Sequence, residues 1–206
     1  MASPILQSRS YHHGDLKQAL LTEAEALLRV EGLQGLTLRA VSRAAGVTHA
    51  APANHFGDLS GLLSELAASG YRRFAAALSA AVAAAGEEQR ARALAMGRAY
   101  VAFARENPQL FLLMFRGERL DAMRPALRDA IAAAREVLRS ALSGRPDAPP
   151  ASPLQRAAEG IALWSLVHGY AMLMLDGRLK GTLGALPGPP DELAFAEAVL
   201  GAVRLA

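Results

Sequence analysis

Four side chains able to hold an anion, Arg39, Arg43, His49 and His55, fall within Gly32 to Gly57, a stretch that contains no Asp or Glu. Phosphate groups need only such a local excess of cationic and hydrogen-bonding groups, whatever the rest of the chain carries. Inside the stretch, A-A-G-V-T (Ala44 to Thr48) reads as a tight glycine turn between two short helical runs, with Thr37 and Thr48 as their capping residues. Val41, Ala44 and Ala45 would supply the small surface where the two helices cross, and Gly46 the turn conformation that a β-carbon opposes. That is the pattern of a helix-turn-helix, whose second helix fits a major groove about 12 Å wide. A helical hairpin inside an ordinary bundle is the alternative. A second group of residues is apolar with polar handles: Met96, Tyr100 and Phe103 at helical spacing, then Phe111, Met114 and Phe115, then Trp164, His168 and Met172 four apart. Such stripes are more often core than pocket, since every amphipathic helix shows one, yet polar handles in an apolar space are how small-molecule sites are built.

The inventory argues against an enzyme. No phosphate-cradling glycine loop, metal-spaced cluster of His, Asp and Glu, or nucleophile motif is present, so neither a metal nor another cofactor is expected. His168 has no carboxylate or Ser at a spacing that would orient it as a base. The absence of Cys excludes disulfides and thiolate sites, and fits a reducing cytoplasm. The net charge of +3 is misleading as a guide to the anion-binding region. Residues 1–60 hold five basic and five acidic side chains, and the whole excess lies beyond them.

Positioning these residues requires helices. The 206 residues include 45 Ala and 33 Leu against 16 Val, Ile and Thr together, which favours an all-α fold of about nine helices. After a polar arm over residues 1–13, Leu16, Ala19, Leu20, Ala24, Leu27 and Leu28 recur at steps of three and four, giving a helix from Asp15 to about Glu31. Short helices follow from Thr37 to Gly46 and from Thr48 to Gly57, with Pro52 tolerable in the first turn of the second. A long helix spans about Leu59 to Ala85. Further helices are expected at 87–105, 108–115, 121–143, 154–179 and 191–205, and RPDAPPASP (145–153) and GTLGALPGPP (181–190) read as loops. The apolar run Gly160 to Leu175 is shorter than the roughly 20 residues of a spanning helix. It reads as a buried helix, so no membrane partner is expected.

The stretch YHHGDLKQALLTEAEALLRVEGLQGLTLRAVSRAAGVTHAAPANHF resembles the DNA-binding head of the tetracycline-repressor (TetR) family, from EG…GLTLR through AAGV to the closing HF. The later part is similar to one branch of that family, marked here by Trp164, His168 and Gly169 with ENPQLFLLMF in register. The resemblance implies a homodimer that binds operator DNA and releases it when a small molecule enters the C-terminal domain. It implies a helix-turn-helix domain over 14–74, with the motif at 37–56, and an effector-binding and dimerisation domain over 75–206. Thr48 and His49 fall where the family contacts phosphates or base edges, His55 where it touches backbone, and Thr37 at a helix start aimed at a phosphate. With Arg39, Arg43, Ala50, Pro52 and Asn54 these make the expected DNA-binding set. Two positions depart from the family: Ala53 stands where Tyr is usual, and Leu59 where Lys is usual, both phosphate contacts. Arg9, Tyr11, His12 and His13 give the arm a DNA-contacting role or none.

The expected function is a cytoplasmic, ligand-responsive transcriptional regulator, a repressor of unknown effector, dimeric through the helices at 154–179 and 191–205. Ala157, Ala158, Ile161, Leu163, Leu166, Ala194, Ala198, Val199, Ala202 and Val203 supply the apolar faces for that interface. A helical small-molecule-binding protein with weakened DNA binding, motivated by Ala53 and Leu59, is the alternative.

Overall fold

The computed structural model describes residues 13–142 and 152–202, and every regular element among them is a helix. The arm, including Arg9, Tyr11 and His12, and the last apolar position, Val203, lie outside the described residues. Helix α1 (His13–Gly35) is followed by α2 (Leu38–Ala44), α3 (Ala50–Phe56) and α4 (Leu59–Ala84). Then come α5 (Gln89–Glu106), α6 (Pro108–Phe115), α7 (Pro125–Leu142), α8 (Pro153–Leu175), α9 (Lys180–Gly184) and α10 (Glu192–Ala202).

The apolar steps of α1 behave as their spacing requires, with Leu20, Ala24 and Leu28 sealed from solvent. The helix runs past the expected end near Glu31. It bends at Gly32, whose φ of +68° only glycine adopts freely, and continues to Gly35. Thr37 caps α2 by accepting from the Ala40 amide at 3.0 Å. Asp58 does the same for α4 from Gly61 at 2.8 Å. The α4 helix is the spine: it packs on α5, α6 and α7 along its length and on α1 and α3 at its beginning.

Several expectations are corrected. Thr48 is not the cap of α3: His49 occupies that position with no side-chain cap hydrogen bond, and Thr48 contributes only its carbonyl, to the Ala51 amide. Ala44 is exposed, and Ala40 takes the buried place beside Val41. A five-residue helix, α9, stands where a loop was expected, closed by Leu183 turning into the core. At 23 residues α8 is longer than its uninterrupted apolar run, and by length and composition it is the one described helix able to cross a bilayer. It is also less buried than expected. Leu163, Val167, Tyr170, Ala171 and Met174 face the core, Leu154, Ile161 and Leu173 are exposed away from it, and Trp164 is partly exposed at the edge between the two.

Candidate DNA-binding and effector sites

The turn between α2 and α3 is closed by backbone hydrogen bonds from Gly46 to Arg43 and from Val47 to Ser42, with Gly46 at φ +66°. Ser42, wholly buried, donates to the Arg39 carbonyl at 3.0 Å and pairs with His49 Nδ1 at 3.2 Å. His49 is therefore tied to α2 while remaining exposed. Thr37, Arg39, Arg43, Thr48, His49, Ala50 and Asn54 are all exposed, on α2 and its cap, on α3 and in the turn between them, a stretch of the chain without Asp or Glu. His55 is half-buried with its ring against Phe56. Pro52 is buried and belongs to the interior of this three-helix unit rather than to its surface. Its ring sits at the third residue of α3, where a backbone donor has no intrahelical partner to lose.

Beneath that surface lies a charge cluster that local periodicity does not reveal. Glu65 of α4, 8% exposed, accepts from Lys17 of α1 and from Arg124 Nε at the start of α7, each at 3.0 Å. Burial pushes its carboxyl up, but the hydrogen bonds from Arg124 and Lys17 and their charges outweigh it and hold the group below its ordinary value. Arg124 Nη1 also donates to the Phe56 carbonyl, the last of α3, at 3.3 Å.

The second candidate set assembles on α5, α6 and α8. Tyr100 is fully buried; its ring meets Phe74 edge-on at 4.9 Å and Phe111 at 5.7 Å. Phe103 joins through Phe74, and Phe115 lies 4.8 Å from the His168 ring. Trp164 Nε1 donates to the Tyr100 hydroxyl at 3.2 Å, and that hydroxyl pairs with His168 Nδ1 at 2.9 Å. The indole is donor only, so the tyrosine's own proton finds a partner only if His168 Nδ1 accepts it. His168 is then neutral with its proton on Nε2, in keeping with burial, which lowers its pKa from 6.5. Burial likewise pushes the Tyr100 phenol far above its ordinary value, the Trp164 hydrogen bond acting weakly the other way. Met96 and Met114 are buried in the same core, and Met172 packs on it. These residues are packed ring on ring. A cleft of about 390 Å³ lies elsewhere, between α4, α5 and α7, lined by Val82, Arg92 and Val137 and by none of the candidate residues.

A histidine whose pKa is lower in the folded than in the unfolded chain stabilises the fold above its unfolded value of about 6.5, and that contribution is lost as pH falls through the lower folded value. The melting temperature of the chain is expected to fall between neutral pH and about pH 5 more steeply than that of His168→Gln, which keeps an acceptor for Tyr100 and does not titrate. Parallel slopes in thermal melts would contradict it.

Residues 93–202, more than half of the chain, match the family model described as the tetracyclin repressor-like C-terminal domain. The chain belongs to the TetR family of transcriptional regulators. A protein of unknown function from Rhodococcus sp. RHA1 shares 32% identity and the fold, at a TM-score of 0.74, over 95% of this chain and 99% of that one. The TetR family transcriptional regulator PfmR from Thermus thermophilus is similar in fold, with 19% identity and a TM-score of 0.59 over 90% of this chain and 98% of that one. So is the multidrug binding protein EbrR, solved with imidazole, at 22% identity and a TM-score of 0.53 over 92% and 93% of the two chains. No curated protein matches the chain. The matched span includes Trp164, His168 and Gly169.

Proposed function

We propose that this TetR-family chain is a homodimeric repressor, released from operator DNA by a small molecule. The observation that carries the proposal is that α2, α3 and the turn between them contain no Asp or Glu while Arg39, Arg43, His49 and Asn54 are exposed on them. In this reading residues 14–74 form the DNA-binding domain and 75–206 the effector and dimerisation domain. Reading a chromosomal operator places the protein in the cytoplasm. Phosphates are held by Arg39, Arg43, Thr37 and Thr48, and base edges are approached by His49, Ala50 and Asn54. Half-sites about 34–36 Å apart need two heads, and the uncovered apolar faces of α8 and α10 offer the interface. Ala157, Ala158, Ile161, Ala194, Ala198 and Ala202 are exposed there, while Leu163 faces the core and plays no part in it. Small residues let helices approach closely.

The effector is proposed to enter at Tyr100, Trp164 and His168, parting the rings of Phe111 and Phe115, with His168 Nε2 as a hydrogen-bond donor. A ligand that prefers the conformer with separated heads by a few kcal/mol would empty the operator.

Fluorescence anisotropy on the DNA upstream of the chain's own gene tests the proposal: binding should prefer that sequence and weaken steeply with salt. Arg39→Ala with Arg43→Ala is expected to lower affinity at least about tenfold and to reduce the salt slope by about two. Absence of salt-sensitive, sequence-preferring binding overturns it. The alternative, a ligand-binding protein with a weakened head, is favoured by half-buried Ala53 and Leu59, neither of which offers a phosphate a donor. Ala53→Tyr with Leu59→Lys should raise affinity if those missing contacts limit binding; unchanged affinity removes the motive for it.

A further inference from the structure

The surface proposed to meet DNA is made by α3, a helix of seven residues, too short to hold its direction by itself. The far end of α3 is anchored by the buried Phe56 ring, and its backbone there is held by a hydrogen bond from outside the head. The Phe56 carbonyl, at its last residue, accepts from Arg124 Nη1 at 3.3 Å, while Nε of the same guanidinium donates to Glu65 at 3.0 Å. Glu65 is itself gripped from the other side by Lys17 at 3.0 Å. One planar fork therefore joins α3 to α4, and the second carboxylate oxygen joins α4 to α1.

Two further observations show that this meeting is built. The first is Gly61, one turn from Glu65 on α4. A β-carbon there would lie 2.0 Å from the Phe56 carbonyl oxygen and 2.5 Å from Arg124 Nη1, so the close approach depends on the missing side chain. The second is the route by which Arg124 arrives. Three residues earlier, the Asp121 amide donates to Ser64 Oγ at 2.8 Å, and Ser64, fully buried, donates to the Ser60 carbonyl at 2.7 Å. The segment between α6 and α7 is thus fastened to the first two turns of α4 at Ser64 and at Glu65. Arg124 is 22% exposed along its side chain and immediately precedes α7.

We propose that Arg124 is the positioning residue of the recognition helix: its guanidinium, fixed by Glu65, sets the direction of α3 by holding the Phe56 carbonyl, and so sets which spacing of operator half-sites the protein accepts. The spacing half rests on the DNA-binding reading above; the orientation half does not. With its guanidinium engaged by Glu65 and Phe56, Arg124 is not among the residues proposed to hold phosphates. Its loss should therefore change spacing tolerance without changing the number of counterions released.

The test uses the full chain. Hydrogen exchange is followed by mass spectrometry on wild type, Arg124→Gln and Arg124→Lys, with anisotropy on the upstream operator and on versions with one base pair added or removed between half-sites. In Arg124→Gln, amides of α3 are expected to exchange about tenfold faster or more, with α5 and α8 unchanged. Discrimination between the correct and altered spacings should fall about tenfold at an unchanged salt slope. Arg124→Lys separates positioning from charge. A single ammonium restores the pair with Glu65 but lacks the fork that reaches Phe56 as well, so thermal stability should recover while α3 exchange stays fast. Unchanged α3 exchange in Arg124→Gln overturns the proposal, as does recovery of both properties in Arg124→Lys, which would mean a charge role alone. Faster α3 exchange with unaltered spacing preference overturns its operator half. If wild type binds no DNA, the regulator reading fails on that arm and α3 exchange still decides whether Arg124 orients the helix.

Discussion

Replacing Gly61 with alanine is expected to destabilise the chain by about 3 kcal/mol or more, at the upper end of what overpacking costs. The added β-carbon would fall 2.0 Å from the carbonyl oxygen of Phe56. That neighbour is backbone and cannot rotate aside. The end of α3 must move, and with it the acceptor held by Arg124. Alanine is otherwise the better helix former by about 1 kcal/mol, so a loss of stability in denaturant titrations isolates the steric term. DNA affinity should fall together with stability, because the displaced element is the one that carries His49, Ala50 and Asn54. A variant as stable as wild type, or more so, would show that the approach of α3 to α4 is looser than described.

Phe111→Ala is the second large effect, expected at about 3–5 kcal/mol, the range for removing a buried aromatic ring. Phe111 is completely buried, 4.6 Å from the Phe115 ring and 5.7 Å from that of Tyr100. Its surroundings are themselves locked: Tyr100 by hydrogen bonds to Trp164 and His168, and Phe115 by the ring of Tyr71, whose hydroxyl donates to the Met114 carbonyl at 2.8 Å. Collapse into the void is therefore limited, which keeps the cost near the top of the range. Urea unfolding measures it. An apolar cavity of this kind takes up benzene, so benzene should raise the melting temperature of the variant more than that of wild type. A loss under about 1 kcal/mol would mean that the rings close up freely.

What the sequence discloses here is what is local. The cap at Thr37, the glycine turn at Gly46 and the buried stripe of Leu20, Ala24 and Leu28 each depend on residues within a few positions of one another. The Trp164–Tyr100–His168 grouping was suggested by spacing on separate helices, although its hydrogen bonds were not. Glu65 gave no such signal, since its partners stand 48 and 59 residues away and each looks like an ordinary surface charge. Pro52 misled because tolerance of a proline in a first turn says nothing of which way its ring faces. The extent of α8 misled in the other direction: a run of apolar residues does not distinguish a helix enclosed by its own chain from one that leaves a face uncovered.

The α6 helix is eight residues long, about 12 Å from end to end, and too short to bend. Phe111 and Phe115 on it meet the rings around His168. Its first turn, at Pro108 to Leu110, borders Glu25, Leu28 and Arg29 of α1. Its last residue leads into the segment fastened to α4 at Ser64. Such an element behaves as a strut with three bearings. If the effector enters at the aromatic bearing, as proposed, displacing the strut would load α1 and, through Asp121 and Arg124, the far end of α3 together, and severing either path alone would leave the other.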